Sequence, residues 1–166
     1  DNVVNTWTIT SANAGTLTGV TSGFTNIENL VGGTNNDTFT FTNAATLTGT
    51  INGGAGGVNY INLAAYTTAV NVTLTGSTAD GYTGTTSGTP NPTAGFSNIT
   101  RFDSSSTAAN SLTGSNAATS TWTISGANKF EKRIASMMPS GKAGLMHRIR
   151  TVMNPIRIPN TRRPAL

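Results

Sequence analysis

Short runs of alternating apolar and polar residues, each stopped by glycine or asparagine, follow one another from Trp7 to Ile124 and leave no room for a helix face of any width. Typical runs are Trp7-Thr8-Ile9, Phe39-Thr40-Phe41, Thr46 to Ile51, Tyr60 to Leu63, Val70 to Leu74 and Phe96 to Phe102. Alternation with period two, rich in Thr, Val and Ile, predicts strands. Between them lie Gly32-Gly33-Thr34-Asn35-Asn36-Asp37 and Gly53-Gly54-Ala55-Gly56-Gly57, turn material that admits positive φ. Residues 1–128 therefore read as all-β, with short strands and tight corners.

Repetition narrows the architecture. Gly23-Phe24-Thr25-Asn26-Ile27 returns as Gly95-Phe96-Ser97-Asn98-Ile99, 72 residues later, and Thr6-Trp7-Thr8-Ile9 returns as Thr121-Trp122-Thr123-Ile124, 115 residues later. Only 36% of the chain is hydrophobic and 10% charged, against about 45–50% and 25% in ordinary soluble domains. A stack of similar coils, each burying a thin apolar stripe on its neighbours, lets so poor a composition fold. We expect a parallel β-solenoid, a β-helix or β-roll, over a β-sandwich with chance repetition. Rows of Thr and Asn are expected as side-chain ladders between coils.

Gly32-Gly33-Thr34-Asn35-Asn36-Asp37-Thr38-Phe39 resembles one unit of the RTX nonapeptide G-G-x-G-x-D-x-U-x, with Asn35 in place of the third glycine. The resemblance implies a calcium ligand at Asp37, helped by backbone oxygens of the turn. The bland alternative is an Asx-type turn made by Asp37. The second turn, running on to Asn59-Tyr60, lacks the Asp. More widely, Phe24 to Gly33, Leu47 to Ile51 and Ala69 to Gly76 are similar to repeats of large bacterial surface and secreted proteins of the filamentous-haemagglutinin-like or RTX-like adhesin type. That likeness implies an exported, cell-surface or secreted repeat module that is structural or adhesive. Its implied partners are neighbouring repeats of the same long chain and a glycan or cell-surface ligand, with no cofactor beyond the calcium at Asp37.

Catalysis is not expected. Residues 1–128 hold no His and no Lys, and zero Cys excludes thiolate chemistry and disulfides. Arg101 and Asp103, two residues apart on one strand face, are an ion pair on the plain reading. By likeness to β-helical polysaccharide lyases, which use Arg as base and Asp on calcium, they are the residues of an enzymatic alternative. Trp7 and Trp122, equivalent in the repeat, read as core or stacking residues rather than sugar platforms.

The net charge of +4 is a property of the last 38 residues, which hold nine of the ten Lys and Arg, His147 and all four Met. No nucleic-acid partner is expected for the rest, and no apolar run reaches the roughly 20 residues of a membrane-crossing helix. Composition divides the chain into a repeat region, 1–128, and a basic tail, 129–166. The tail is expected to be partly helical or disordered, with a short amphipathic helix over Lys129–Met138 stopped by Pro139. The repeat breaks off at Lys129, as a frameshift after codon 128 would make it do. The chain as a whole reads as a piece of a longer product.

Overall fold

The computed structural model describes residues 3–115 and the backbone of 122–126 and 129–132. All regular structure among them is β. One sheet, A, contains β1 (Thr6–Ser11), β2 (Ala14–Leu17), β3 (Val20–Thr25), β5 (Thr38–Phe41), β7 (Tyr60–Asn62), β11 (Arg101–Asp103), β13 (Trp122–Gly126) and β14 (Lys129–Lys132). The other, B, contains β4 (Leu30–Gly33), β6 (Leu47–Gly54), β8 (Val70–Thr78), β9 (Gly81–Gly88), β10 (Thr93–Ile99) and β12 (Ser111–Thr113).

The chain alternates between the sheets and lays successive passes in register. In sheet A the order β1, β5, β7, β11 is parallel throughout, and Trp7, Phe39, Ile61 and Phe102 form one inward column. In sheet B β4, β6 and β10 are parallel, with Leu30, Ile51 and Phe96 in column. Inward side chains of both columns meet in a single core that includes Phe39, Phe41, Ile51, Ile61 and Tyr66. Alternation explains the division: on β5, Phe39 and Phe41 are buried while Thr38 and Thr40 face outward.

Both sheets are mixed, so the expected parallel stacking holds for these ladders and not for the whole. Antiparallel meanders interrupt it: β1–β2–β3 in sheet A and β8–β9–β10 in sheet B. These account for the 72-residue repeat. Phe24 pairs with Gly15, and Phe96 with Gly84, so each repeat Phe lies over a glycine of the neighbouring strand. A Cβ on Gly15 would stand 2.9 Å from Phe24 Cζ, and one on Gly84 2.5 Å from Phe96 Cζ. The following asparagines, Asn26 and Asn98, have φ of 57° and 54°. Each then turns the chain into the opposite sheet, Asn26 towards β4 and Asn98 towards β11.

The 115-residue repeat is a hairpin. Trp7, Thr8, Ile9 and Ser11 pair with Leu17, Thr16, Gly15 and Ala14 across a bulge after Ile9. Trp122, Thr123, Ile124 and Gly126 pair with Lys132, Glu131, Phe130 and Lys129 in the same register, with the same bulge. The first four residues of the helix expected over Lys129–Met138 are therefore strand, because backbone pairing with β13 and β11 overrides a helical spacing of side chains. Sheet A thus runs across the change in composition at 128/129. The remainder of that helix and the rest of the tail, with its other expectations, lie outside the described residues.

Candidate functional site

One corner of the stack lies just ahead of the sheet A strands. Asn5, Asp37 and Asn59 immediately precede Thr6, Thr38 and Tyr60, which share one register position. All three are buried, Asp37 and Asn59 completely. Each bonds to the next pass of the chain: Asn5 N donates to Asp37 Oδ1 at 2.8 Å, and Asp37 N donates to Asn59 Oδ1 at 3.1 Å. Backbone bonds run beside them, Thr38 N to Asn5 O and Tyr60 N to Asp37 O. A burial that would orphan these N–H groups is satisfied by side-chain oxygens instead.

The glycine pairs exist for this ladder. Gly32, Gly53 and Asn98 are equivalent in sheet B, and their carbonyls face the corner. Asn5 Nδ2 donates to Gly32 O at 2.9 Å, and Asn59 Nδ2 to Asn98 O at 3.1 Å. A Cβ on Gly32 would lie 2.4 Å from Asp37 Oδ2, and one on Gly53 2.6 Å from Asn59 Cβ, so neither position admits a side chain. The second glycine of each pair, Gly33 or Gly54, takes positive φ, 142° and 90°, to leave the strand.

Asp37 departs from its neighbours. Its Oδ1 accepts from Asn5 N, but Oδ2 has no hydrogen-bond partner among the described residues. A Cβ on Gly32 would meet Asp37 Oδ2 and Gly53 O at 2.4 and 2.5 Å, so both oxygens border the same position. Calcium takes 6–8 oxygens; Asp37 Oδ2 and Gly53 O are two, and no three of His, Cys, Asp and Glu come together among the described residues.

Asparagine closes the other corners in the same way. Asn13 Oδ1 accepts from Thr48 N at 2.9 Å, Asn29 Oδ1 from Thr50 N at 2.9 Å, Asn36 Oδ1 from Val58 N at 2.6 Å and Asn43 Oδ1 from Thr67 N at 3.1 Å. The ladders expected of Thr and Asn are thus mainly asparagine side chain to backbone of the next pass. Threonine joins at Thr48, Thr50 and Thr67, whose hydroxyls share the same asparagine oxygens.

Arg101 and Asp103 share one strand face and pair at 3.0 Å, Arg101 partly exposed and Asp103 buried. The sequence reading missed their third member, Tyr60, which stands opposite Arg101 across the β7–β11 ladder. Its hydroxyl donates to Asp103 Oδ2, and the Arg101 guanidinium lies 4.3 Å above its ring centroid. Burial, then the hydrogen bond and charge of Asp103, push the Tyr60 phenol well above its ordinary value, against a smaller opposing pull from Arg101. The phenol is held neutral and the guanidinium is committed to carboxylate and ring. Such a cluster ties one pass to the next.

Trp7 packs against the core, stacked on Phe39 at 6.2 Å and edge-on to Phe24 at 5.9 Å, as its repeat position suggested. The Trp122 side chain lies outside the described residues. Asn5 and Asn59 were not singled out from the sequence, although one clue was present: Asp37 and Asn59 each follow a Gly-Gly pair and precede an alternating run. Comparison with known proteins finds no matching family model, no similar curated protein and no similar solved structure.

Proposed function

We propose that the chain is a non-catalytic structural or adhesive module of a large exported bacterial surface protein, its coils stacked as a β-solenoid and its ends met by neighbouring repeats. The observation that supports this best is the pair of in-register parallel ladders, β1–β5–β7–β11 and β4–β6–β10, visited in alternation and closed at the corners by asparagine. A module of this kind extends by adding passes, with each contacting only its neighbours. Its role is to project or scaffold, at the cell surface or in secreted form, a contact with a glycan or another cell.

Circular dichroism of the whole chain in chelator, then with calcium or magnesium, tests the reading. The asparagine ladder needs no metal, so strand absorption and a cooperative melt are expected in chelator. Strand structure that appears only with calcium would replace this reading with a calcium-binding RTX-type segment, the second reading, which the buried and unpartnered Asp37 Oδ2 favours. A β-helical polysaccharide-active enzyme would rest on Arg101 and Asp103, and turnover lost in Arg101→Ala is its test.

A further inference from the structure

The sequence contains one Asn-Gly pair, Asn52-Gly53, and the fold uses both of its residues. Gly53 lies on β6 at the corner, where a Cβ would stand 2.2 Å from Asn98 O. Asn52 is half-buried beside it, and its Oδ1 accepts from Gly54 N and from Asn98 Nδ2, each at 2.9 Å. The first bond holds the exit of the chain at Gly54, whose φ is 90°, and the second ties β6 to the last turn of β10. The corner thus needs a glycine at 53 and a side-chain oxygen at 52.

Asn followed by Gly is the pair at which a peptide chain most readily attacks itself, because glycine has no Cβ to hinder its own nitrogen. Gly53 N gives up its proton to solvent base and bonds to Asn52 Cγ. The Cγ–Nδ2 bond breaks, the nitrogen takes up a proton and leaves as ammonia, and an imide ring remains. Water then opens the ring. Breaking its bond to Cγ gives aspartate on an ordinary backbone. Breaking its bond to the main-chain carbonyl carbon gives isoaspartate, whose backbone runs through Cβ and Cγ and is one atom longer.

We infer that Asn52 is a modification site of this chain, converted to isoaspartate when β6 opens and protected while sheet B is closed. β6 is paired on both sides, Asn52 with Val31 of β4 and with Ser97 of β10, and the side chain is pinned at Oδ1 by two donors. Bringing Cγ onto Gly53 N requires the strand to come away from its neighbours. The two products then differ in what they can rebuild. Aspartate keeps an oxygen for Gly54 N and Asn98 Nδ2. Isoaspartate inserts a backbone atom between the register pairs Val31–Asn52 and Gly33–Gly54 and displaces Gly53 in a corner with no room for one more carbon. A chain modified in this way does not close the corner again, so opening of β6 becomes irreversible. The inference rests on the fold and not on the proposed function.

Peptide mapping with enzymatic methylation of isoaspartate, on the whole chain at mildly alkaline pH, tests it. Isoaspartate at residue 52 is expected to accumulate about tenfold or more faster in urea than in buffer, where the strand spectrum is present. On dilution from urea, the fraction that recovers that spectrum should fall as isoaspartate rises, and the recovered protein should hold asparagine or aspartate at that position. Asn52→Asp keeps an accepting oxygen and forms the imide more slowly, having no amide to lose. It is expected to fold with the unsubstituted spectrum and to keep its refolding yield over the same time in urea. Should that variant fail to fold, Asn52→Ser, whose hydroxyl also accepts from the backbone two residues on, takes its place. Equal rates in folded and unfolded chain, isoaspartate at residue 52 in the recovered protein, or a refolding yield that falls equally in the variant overturns the inference. So does isoaspartate that gathers at Asp80-Gly81 and not at Asn52.

Discussion

Asp37 sits in an asparagine ladder, with Oδ1 bonded like an amide oxygen and Oδ2 without a hydrogen-bond partner among the described residues. Asp37→Asn would replace the unpartnered Oδ2 by an amide donor, as at Asn5 and Asn59, whose Nδ2 atoms donate to Gly32 O and Asn98 O. We expect the variant to be more stable by about 1–2 kcal/mol, read as a higher melting temperature; a lower one would favour a cation bound by the carboxylate. Tyr66 is a second residue with a readable consequence. It is fully buried, its hydroxyl donates to Ala45 O, and burial pushes its phenol from 10.0 up to about 12. A raised value means that the fold holds the neutral form. The stability this contributes is complete below about pH 10 and is lost as pH rises towards and through about 12. Melting temperature followed into alkali should therefore fall over that window, and Tyr66→Phe should fall less steeply.

Strands in this chain are specified by what lies opposite them as much as by their own residues. β9, Gly81–Gly88, has the composition of a loop and was not read as a strand, yet it is held between β8 and β10 and gives Phe96 a glycine to cover. β3 was missed for the same reason. Gly15→Ala and Gly84→Ala test whether this pairing of Phe with Gly matters. Their Cβ atoms would stand 2.1 Å from Thr8 O and 2.3 Å from Thr73 O, backbone atoms that cannot step aside. Each is expected to cost about 1–3 kcal/mol, measured by chemical denaturation, although alanine ordinarily stabilises a strand relative to glycine. An unchanged midpoint would mean that the meander is looser than its geometry.

A stack built by repetition should tolerate loss of a repeat. Asp37 and Asn59 lie 22 residues apart and occupy the same rung position, so excising residues 38–59 removes one pass and brings Asp37 next to Tyr60. On the proposed solenoid reading, in which each pass contacts only its neighbours, the shortened chain is expected to keep its strand spectrum and a cooperative melt at lower temperature. A shortened chain that loses its strand spectrum or its cooperative melt would mean that the single core between the two sheets needs all of its passes.

How much of this was legible follows from the range of the interactions. Alternation of Thr with Ile, Phe and Val placed β1, β5, β7 and β8 and their inward residues, because side chains on successive residues point to opposite faces whatever the strand pairs with, while the single run read over Phe96 to Phe102 is two strands in different sheets. The 72- and 115-residue repeats were visible too, since like segments fold alike. Their meaning was not: one is a meander with a corner and the other a hairpin, and in the second hairpin the partner strand Lys129–Lys132 bears no likeness to Ala14–Leu17. The corner ladder was hidden for the same reason. Asn5, Asp37 and Asn59 are 32 and 22 residues apart, spacings set by loops of unequal length, and nothing local marks them as neighbours. Tyr60 joins Arg101 and Asp103 only because β7 and β11 lie side by side, although Tyr60 and Arg101 are 41 positions apart in the chain. Local alternation is written in two or three adjacent residues; register between distant passes is the joint result of every pairing in the sheet, and that choice is made only when the sheets assemble.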